Sequence, residues 1–528
     1  MTSPHGRLQR EARACFGHID RPLTAYPGLI GVYAAAPAIR AAVQATHQFG
    51  RLITRAPSTN PRRAPFPHSQ GMCAPLELEE VRGTGTRRAI GKWDSWSICT
   101  GLWIATGYTA GLLFAPRTSR IAPRHPGGPG RSRLPAVRTN DHPALLRRDA
   151  VTSWPTPTVD NLQVWVLDFP TDAPEADGTA TWTSTTMVLV QAQSTTTHGY
   201  GWTYGAAACA SVITDLLADH VIGRSAFDVP GTNEAMHRAL RNAGRPGIGG
   251  YALSAVDIAL WDLKAKLLDL PLADLLGRVQ DGVPVYGSGG FTTYDSQQLE
   301  KQLRGWTKQS AIPRVKIKIG EEWGSREDRD LTRIRETRQI IGPDAELYVD
   351  ANGAYTAKQA IRLAKTFQEF DVRWFEEPVS SDDLTGLARV RAASAADVAA
   401  GEYGFTLPYF AAMAPTVDCL QADATRCGGI TVWLRAAALA QSHGLDLSGH
   451  CAPHVHAHAA ATIPNLRHLE WFHDHVRIEN LLFDGTLDPT GGELCPGADG
   501  APGHSMTPRY DVLVRHTRTS GAEPASGP

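Results

Sequence analysis

From Asp160 onward the chain alternates between two hydrophobic rhythms, and each predicts a different kind of element. Leu162–Asp168 (LQVWVLD) and Ser184–Gln193 (STTMVLVQAQ) are rich in β-branched residues and read as strands. Between them Thr171–Gly178 (TDAPEADG) reads as a polar, turn-rich loop, and Gly199–Thr203 (GYGWT) closes a meander. Ala208–Asp219 and Glu234–Asn242 carry helical spacing. Ala252–Leu268 (ALSAVDIALWDLKAKLL) repeats its apolar residues at about 3.6 positions and predicts a strong helix. Residues 156–281 therefore read as a small α+β domain.

After Asp281 short apolar strands alternate with longer amphipathic helices. The strands are Val283–Gly287, Val315–Ile319, Leu347–Val349, Trp374–Phe375, Val398–Ala400, Cys419–Ala422, Leu445–Ser448 and Leu469–Trp471. Eight such strands fit a modified β/α barrel, (β/α)₇β, over 282–475. An open doubly wound sheet has a similar rhythm. The barrel is preferred because polar residues recur at the C-terminal end of nearly every strand, around one mouth. Residues 476–515 then return towards the α+β domain, and 516–528 read as a disordered tail.

Those strand ends carry the candidate chemistry. In order they supply Lys316 and Lys318 (VKIKIG), Asp350 (YVDANG), Glu376 (WFEEP), Glu402 (AAGEYG), Asp423 (QADATRCGG), His450 (LSGHCAP) and Glu470 (HLEWF). Carboxylates at three successive strand ends converge on one point, which suits a hard cation and favours Mg²⁺ over zinc. Lys316 and Lys318 are two apart, so both face the barrel interior; burial and like charge are expected to depress the basicity of Lys318. Asp423 and His450 lie on adjacent strands, where the carboxylate can orient the imidazole. These parts suit removal of the α-proton of a carboxylate. The cation, Lys316 and Glu470 (as a hydrogen-bond donor) would stabilise the enediolate, with Lys318 on one face and His450 on the other. His454, His456 and His458 raise a rival zinc reading, but no HExxH helix accompanies them.

Charge changes the picture upstream. Residues 1–150 hold 20 Arg and one Lys against eight acidic residues, a formal +13, whereas 151–528 hold 31 basic and 45 acidic, or −14. Residues 1–155 are rich in Arg and Pro with weak periodicity, and read as a disordered extension or as sequence upstream of the true start. The basic residues are too diffuse, with too few interleaved aromatics, to predict nucleic-acid binding. Ile98–Ala115 is uncharged but only mildly apolar, so no membrane span is expected. The eight cysteines form no CxxC pair and no secretory leader is evident, so a cytoplasmic location is expected.

The runs KIKIG, VDANG, EEP, GE, QAD…GGIT and SGH closely resemble the mandelate racemase subgroup of the enolase superfamily. Asn242–Gly277 also resembles the signature at the end of that family's capping domain, and the resemblance spans about 160–515. It implies Asp350, Glu376 and Glu402 as Mg²⁺ ligands, Lys318 as one acid/base, and the His450–Asp423 dyad as the other. Muconate cycloisomerase-like and dipeptide epimerase-like members carry a lysine where this chain has Asp423. Glucarate dehydratase-like members carry Asn where it has Glu402. The resemblance implies dehydration of an acid sugar to a 2-keto-3-deoxy acid, with racemisation of a 2-hydroxy acid as the alternative. Asp172, Glu175 and Asp177 in the capping loop, with Asn352, are candidate substrate contacts for a polyhydroxylated hydroxy-carboxylate. A homo-oligomer without nucleic-acid or membrane partners is expected. No counterpart is recognised for residues 1–155. A reading of another class is a catalytically silent barrel that binds through its basic extension, which requires the three acids to diverge or the lysines to face outward.

Overall fold

Alternating apolar residues build a three-stranded antiparallel meander, β1 (Asn161–Ala176), β2 (Thr181–Ser194) and β3 (Thr197–Tyr204), in the computed structural model, which describes residues 156–518. The stretch expected to be a loop, Thr171–Gly178, is mostly strand. Pro170 pairs with Ser184 and Glu175 with Trp182, so three extra residues bulge out of β1 between them. Pro170 and Pro174 bracket this irregularity, since neither donates to the ladder. The turn itself is short: Asp177 Oδ1 accepts from the amides of Thr179 (2.6 Å) and Ala180 (2.7 Å).

Helix α1 (Val229–Ala239) begins a turn earlier than its apolar spacing suggests, because Pro230 fits the first turn. Helix α2 (Ile248–Leu267) is apolar nearly all round and almost wholly buried. The meander lies against it so closely that a Cβ on Gly199 or Gly201 would sit 2.3 Å from α2 backbone atoms. On its other side Asp257 and Trp261 bond to Thr431 of helix α3 (Gly429–Ser442), which joins cap to barrel.

Eight parallel strands follow: β4 (Val283–Gly289), β5 (Arg314–Lys318), β6 (Glu346–Asp350), β7 (Val372–Glu376), β8 (Asp397–Ala400), β9 (Cys419–Ala422), β10 (Asp446–Gly449) and β11 (Leu466–Phe472). They pair in that order, and β11 closes the barrel on β4 through Leu469↔Val285 to Phe472↔Ser288. Tyr286, Tyr348, Trp374, Ala399 and Cys419 pack together on these strands, making the barrel interior a core rather than a pore. The expected closed barrel is thus present. Helix α4 (Pro453–Ala460) follows β10 and helix α5 (His473–Leu482) follows β11. The chain then runs back along the cap, where Arg518 pairs with Asp168 at 2.6 Å and His504 Nε2 contacts the Tyr200 carbonyl at 2.8 Å. The Ile98–Ala115 run and the rest of 1–155 lie outside the described residues. No described helix is long and apolar enough to cross a membrane.

One buried carboxyl ties α5 to the cap. Glu479 Oε1 accepts from Tyr204 Oη (2.9 Å) and Trp202 Nε1 (3.1 Å), and burial pushes its pKa from 4.5 up to about 8. A raised carboxyl favours the folded state at low pH, and that contribution is lost as pH rises from the ordinary 4.5 to the folded value of about 8, with no further loss above it. Wild-type stability should therefore fall by about 1.4 kcal/mol per pH unit across this window relative to Glu479→Gln, which stays neutral. Thermal unfolding at pH 5, 7 and 9 checks this; a Tm difference independent of pH would refute it.

Candidate active site

The alternation of strand and helix delivers every candidate barrel residue to the same end. Asp350 and Glu376 are the last residues of β6 and β7, and Asp423 and His450 directly follow β9 and β10. Glu402 stands two residues beyond β8, Glu470 lies in β11, and Lys316 and Lys318 share the interior face of β5. This is the C-terminal mouth, where barrels of this kind keep their chemistry.

Donor atoms of Asp350, Glu376 and Glu402 lie within 4.8 Å of one another, and all three residues are buried. Each carboxylate has a cationic neighbour. Lys318 Nζ is 2.5 Å from Asp350, Lys316 Nζ is 2.5 Å from Glu376 and 2.7 Å from Glu470, and Arg426 Nη1 is 3.1 Å from Glu402. Glu402 Oε2 is nevertheless buried without a hydrogen-bond partner. Three converging buried carboxylates with an unsatisfied oxygen fit a hard divalent cation. The acids converge and both lysines face inward, the opposite of what the silent-barrel reading requires.

Two electrostatic expectations are corrected. Burial is the largest single effect on Lys318 and works to depress it, but Asp350, Glu470 and Glu402 together outweigh burial and the repulsion from Lys316, holding the ammonium above its ordinary range. Glu470 is not a donor in this arrangement. Burial would raise its pKa, yet Lys316 and His450 hold it well below the carboxylate range, and it accepts from Ser288 Oγ (2.6 Å) and the Cys451 amide (3.0 Å).

His450 Nδ1 meets Asp423 Oδ2 at 2.8 Å. Burial alone would raise Asp423, but His450 and Arg426 hold it ionised, while Thr425 donates to its other oxygen twice, at 2.7 Å each. The dyad thus fixes the ring so that Nε2 faces a cavity of about 420 Å³, also lined by Lys318, Asn352, Glu402 and Arg426. From the cap, Asp177, Trp182, Thr185 and Tyr204 complete the wall; Asp172 and Glu175 do not line it. Non-glycine residues with positive φ cluster at the mouth: Asn352 (45°), Glu377 (36°), Cys451 (51°) and Ala452 (37°). Such strain is characteristic of functional sites.

Sequence reasoning missed Arg426, Trp182 and His475, which also line the cavity. Arg426 stood in view three residues after Asp423; the other two carry no local signal. The His454, His456 and His458 side chains are buried on α4 and separate. His456 bonds to Ala452 and Ala424, His454 to Leu487, and none joins a metal-sized cluster among the described residues.

A two-domain chain with a capped barrel and this mouth defines an enzyme scaffold. Residues 298–512 match the enolase C-terminal domain-like family, and 162–277 match the mandelate racemase/muconate lactonizing enzyme N-terminal domain. The L-talarate/galactarate dehydratase of Salmonella typhimurium is 34% identical over 53% of this chain and 69% of its own length. A crystal structure of that dehydratase with Mg and L-lyxarohydroxamate is 28% identical, with TM-score 0.65, covering 72% of this chain and 98% of that one. The 3,6-anhydro-alpha-L-galactonate cycloisomerase of Streptomyces coelicolor is 32% identical over 60% of this chain and 86% of its own. A mandelate racemase/muconate lactonizing enzyme-like protein from Rubrobacter xylanophilus is 48% identical, with TM-score 0.67, covering 69% of this chain and all of that one. The chain belongs to the mandelate racemase/muconate lactonizing enzyme group of the enolase superfamily, a superfamily whose matching relatives are lyases (dehydratases) and isomerases (cycloisomerases). Residues 42–124, outside the described residues, match a family of unknown function (DUF1360), so that segment does have a counterpart.

Proposed function

We propose that this chain dehydrates an acid sugar to a 2-keto-3-deoxy acid, with Mg²⁺ held by Asp350, Glu376 and Glu402. The observation that carries the reading is that Lys318 and the His450–Asp423 pair face one cavity beside three converging carboxylates. When bound, Mg²⁺ supplies positive charge that binds a substrate carboxylate and weakens the hold of Asp350 on Lys318. Lys318 Nζ then takes the α-proton, and Lys316 offsets the negative charge that develops on the substrate carboxylate. Glu470 keeps Lys316 in place at 2.7 Å. His450, protonated at Nε2, gives that proton to the departing β-hydroxyl, which leaves as water, and the enol product tautomerises to the ketone. Asp177 and Asn352 line the cavity and serve as contacts to substrate hydroxyls. The cytoplasm is the proposed compartment, supported by five described cysteines that are all unpaired, and a homo-oligomer is part of this reading.

Isomerisation by racemisation is the second reading, supported by the likeness to a racemase from Streptomyces coelicolor (28% identical, TM-score 0.64): His450 would then give a proton of its own from Nε2 to carbon on the face opposite Lys318. A Mg²⁺-dependent screen of mono- and di-acid sugars in D₂O separates the two. Dehydration is expected to yield a 2-keto-3-deoxy acid; deuterium incorporation without keto product would assign isomerisation, and neither product would reject both.

A further inference from the structure

Behind the cavity wall, on the far side of Trp182, lies a second cluster of ligating groups that the reaction does not use. Asp172 and Glu175 come from the bulged end of β1, and His473 opens α5 immediately after β11. Each offers one donor atom, and the three atoms lie within 4.8 Å of one another. His473 Nε2 is 3.1 Å from Asp172 Oδ2. That is close to the roughly 3.4 Å that separates two ligands on a tetrahedral ion with bonds of about 2.1 Å.

Glu175 supplies the independent sign of a missing ligand. It is fully buried, 0% exposed, and only one of its oxygens is satisfied: Oε2 accepts from Trp182 Nε1 at 2.8 Å, while Oε1 meets no partner. An uncompensated buried carboxylate oxygen is costly. Asp172 is half exposed and leaves one side open to solvent.

We propose that Asp172, Glu175 and His473 form a second divalent-cation site, suited to Zn²⁺, that pins the cap hairpin to the end of the barrel. The donor set decides the metal. Two carboxylates and one imidazole suit a borderline ion with water in the fourth position, whereas the all-oxygen set at the mouth suits Mg²⁺. The site abuts the cavity through the Trp182–Glu175 hydrogen bond, so occupancy fixes one wall residue from behind.

The test uses the full-length protein held in saturating Mg²⁺ and titrated with Zn²⁺, following heat and free Mg²⁺ together. Zn²⁺ should bind without Mg²⁺ release, and Glu175→Gln and His473→Gln should each weaken that event at least about 100-fold. Loss of an outer-shell partner alone costs 10- to 100-fold. Both variants are near-isosteric, and an unchanged far-UV spectrum and Mg²⁺ affinity show that they fold. Zn²⁺ binding unaltered in both folded variants, Zn²⁺ binding matched by Mg²⁺ release, or no Zn²⁺ binding at all would overturn the proposal.

Discussion

Lys318→Ala and His450→Asn are each expected to lower kcat for the acid-sugar substrate by about 10²- to 10⁴-fold, the range of a positioned general acid or base. The two losses should differ in kind. Lys318 is proposed to take the α-proton, so its removal should also abolish exchange of that proton with D₂O. His450 acts after the proton has left, so His450→Asn should stop product formation while Lys318 still exchanges the α-proton. His450 Nδ1 is tied to Asp423 at 2.8 Å, and an asparagine keeps a donor near that position, so the site's frame is preserved. Asp423→Asn should act through the imidazole: it removes the negative charge that faces the ring and should shift the pH profile of kcat rather than metal affinity. Normal turnover in either first variant would remove that residue from the mechanism, and loss of exchange in His450→Asn would merge the two roles.

These residues were legible in the sequence because a barrel strand ends where its apolar run ends, and the next side chain points into the mouth. Even Glu402, two residues beyond β8, follows that rule closely enough to be found. Partnership was not legible. Asp350 and Lys318 are 32 residues apart and meet only because β5 and β6 pair in register, so the desolvation argument for Lys318 omitted its strongest neighbour. The Thr171–Gly178 stretch misled for a related reason. Its prolines and aspartates favour a turn locally, but pairing with β2 prevails, and the bulge that results leaves Asp177 on the cavity wall while Glu175 is buried behind it. The histidines after β10 looked like a metal run when written out, yet His456 faces away from His454 and His458 on the helix, and no acid or cysteine joins them in a metal-sized cluster among the described residues.

Glu402→Gln is expected to abolish the stabilisation of the protein by Mg²⁺ while leaving the metal-free fold intact or firmer. The three acids converge within 4.8 Å in a buried cluster, and Glu402 is the member with a buried oxygen that finds no hydrogen bond. Its amide analogue removes a buried charge, retains an oxygen for Arg426, and so should not lower the metal-free Tm by more than a degree or two, an effect of about 0.5 kcal/mol. Metal binding draws on the same charge in the opposite sense. At a hundredfold excess over its Kd, Mg²⁺ stabilises the wild-type chain by about 2.7 kcal/mol, and a variant that binds about 100-fold more weakly gains only about 0.4 kcal/mol. Thermal unfolding with and without Mg²⁺ should therefore show a clear upward shift in the wild type and almost none in the variant, alongside a loss of turnover of at least about 10³-fold. An equal Mg²⁺ shift in both would mean that Glu402 is not a ligand, and the orphaned oxygen would then have to be explained by the neighbouring His450 Nε2 at 3.3 Å. A variant that unfolds without metal would show instead that the Glu402–Arg426 pair holds the mouth together. The charge that makes the site useful would then also be part of what keeps it folded.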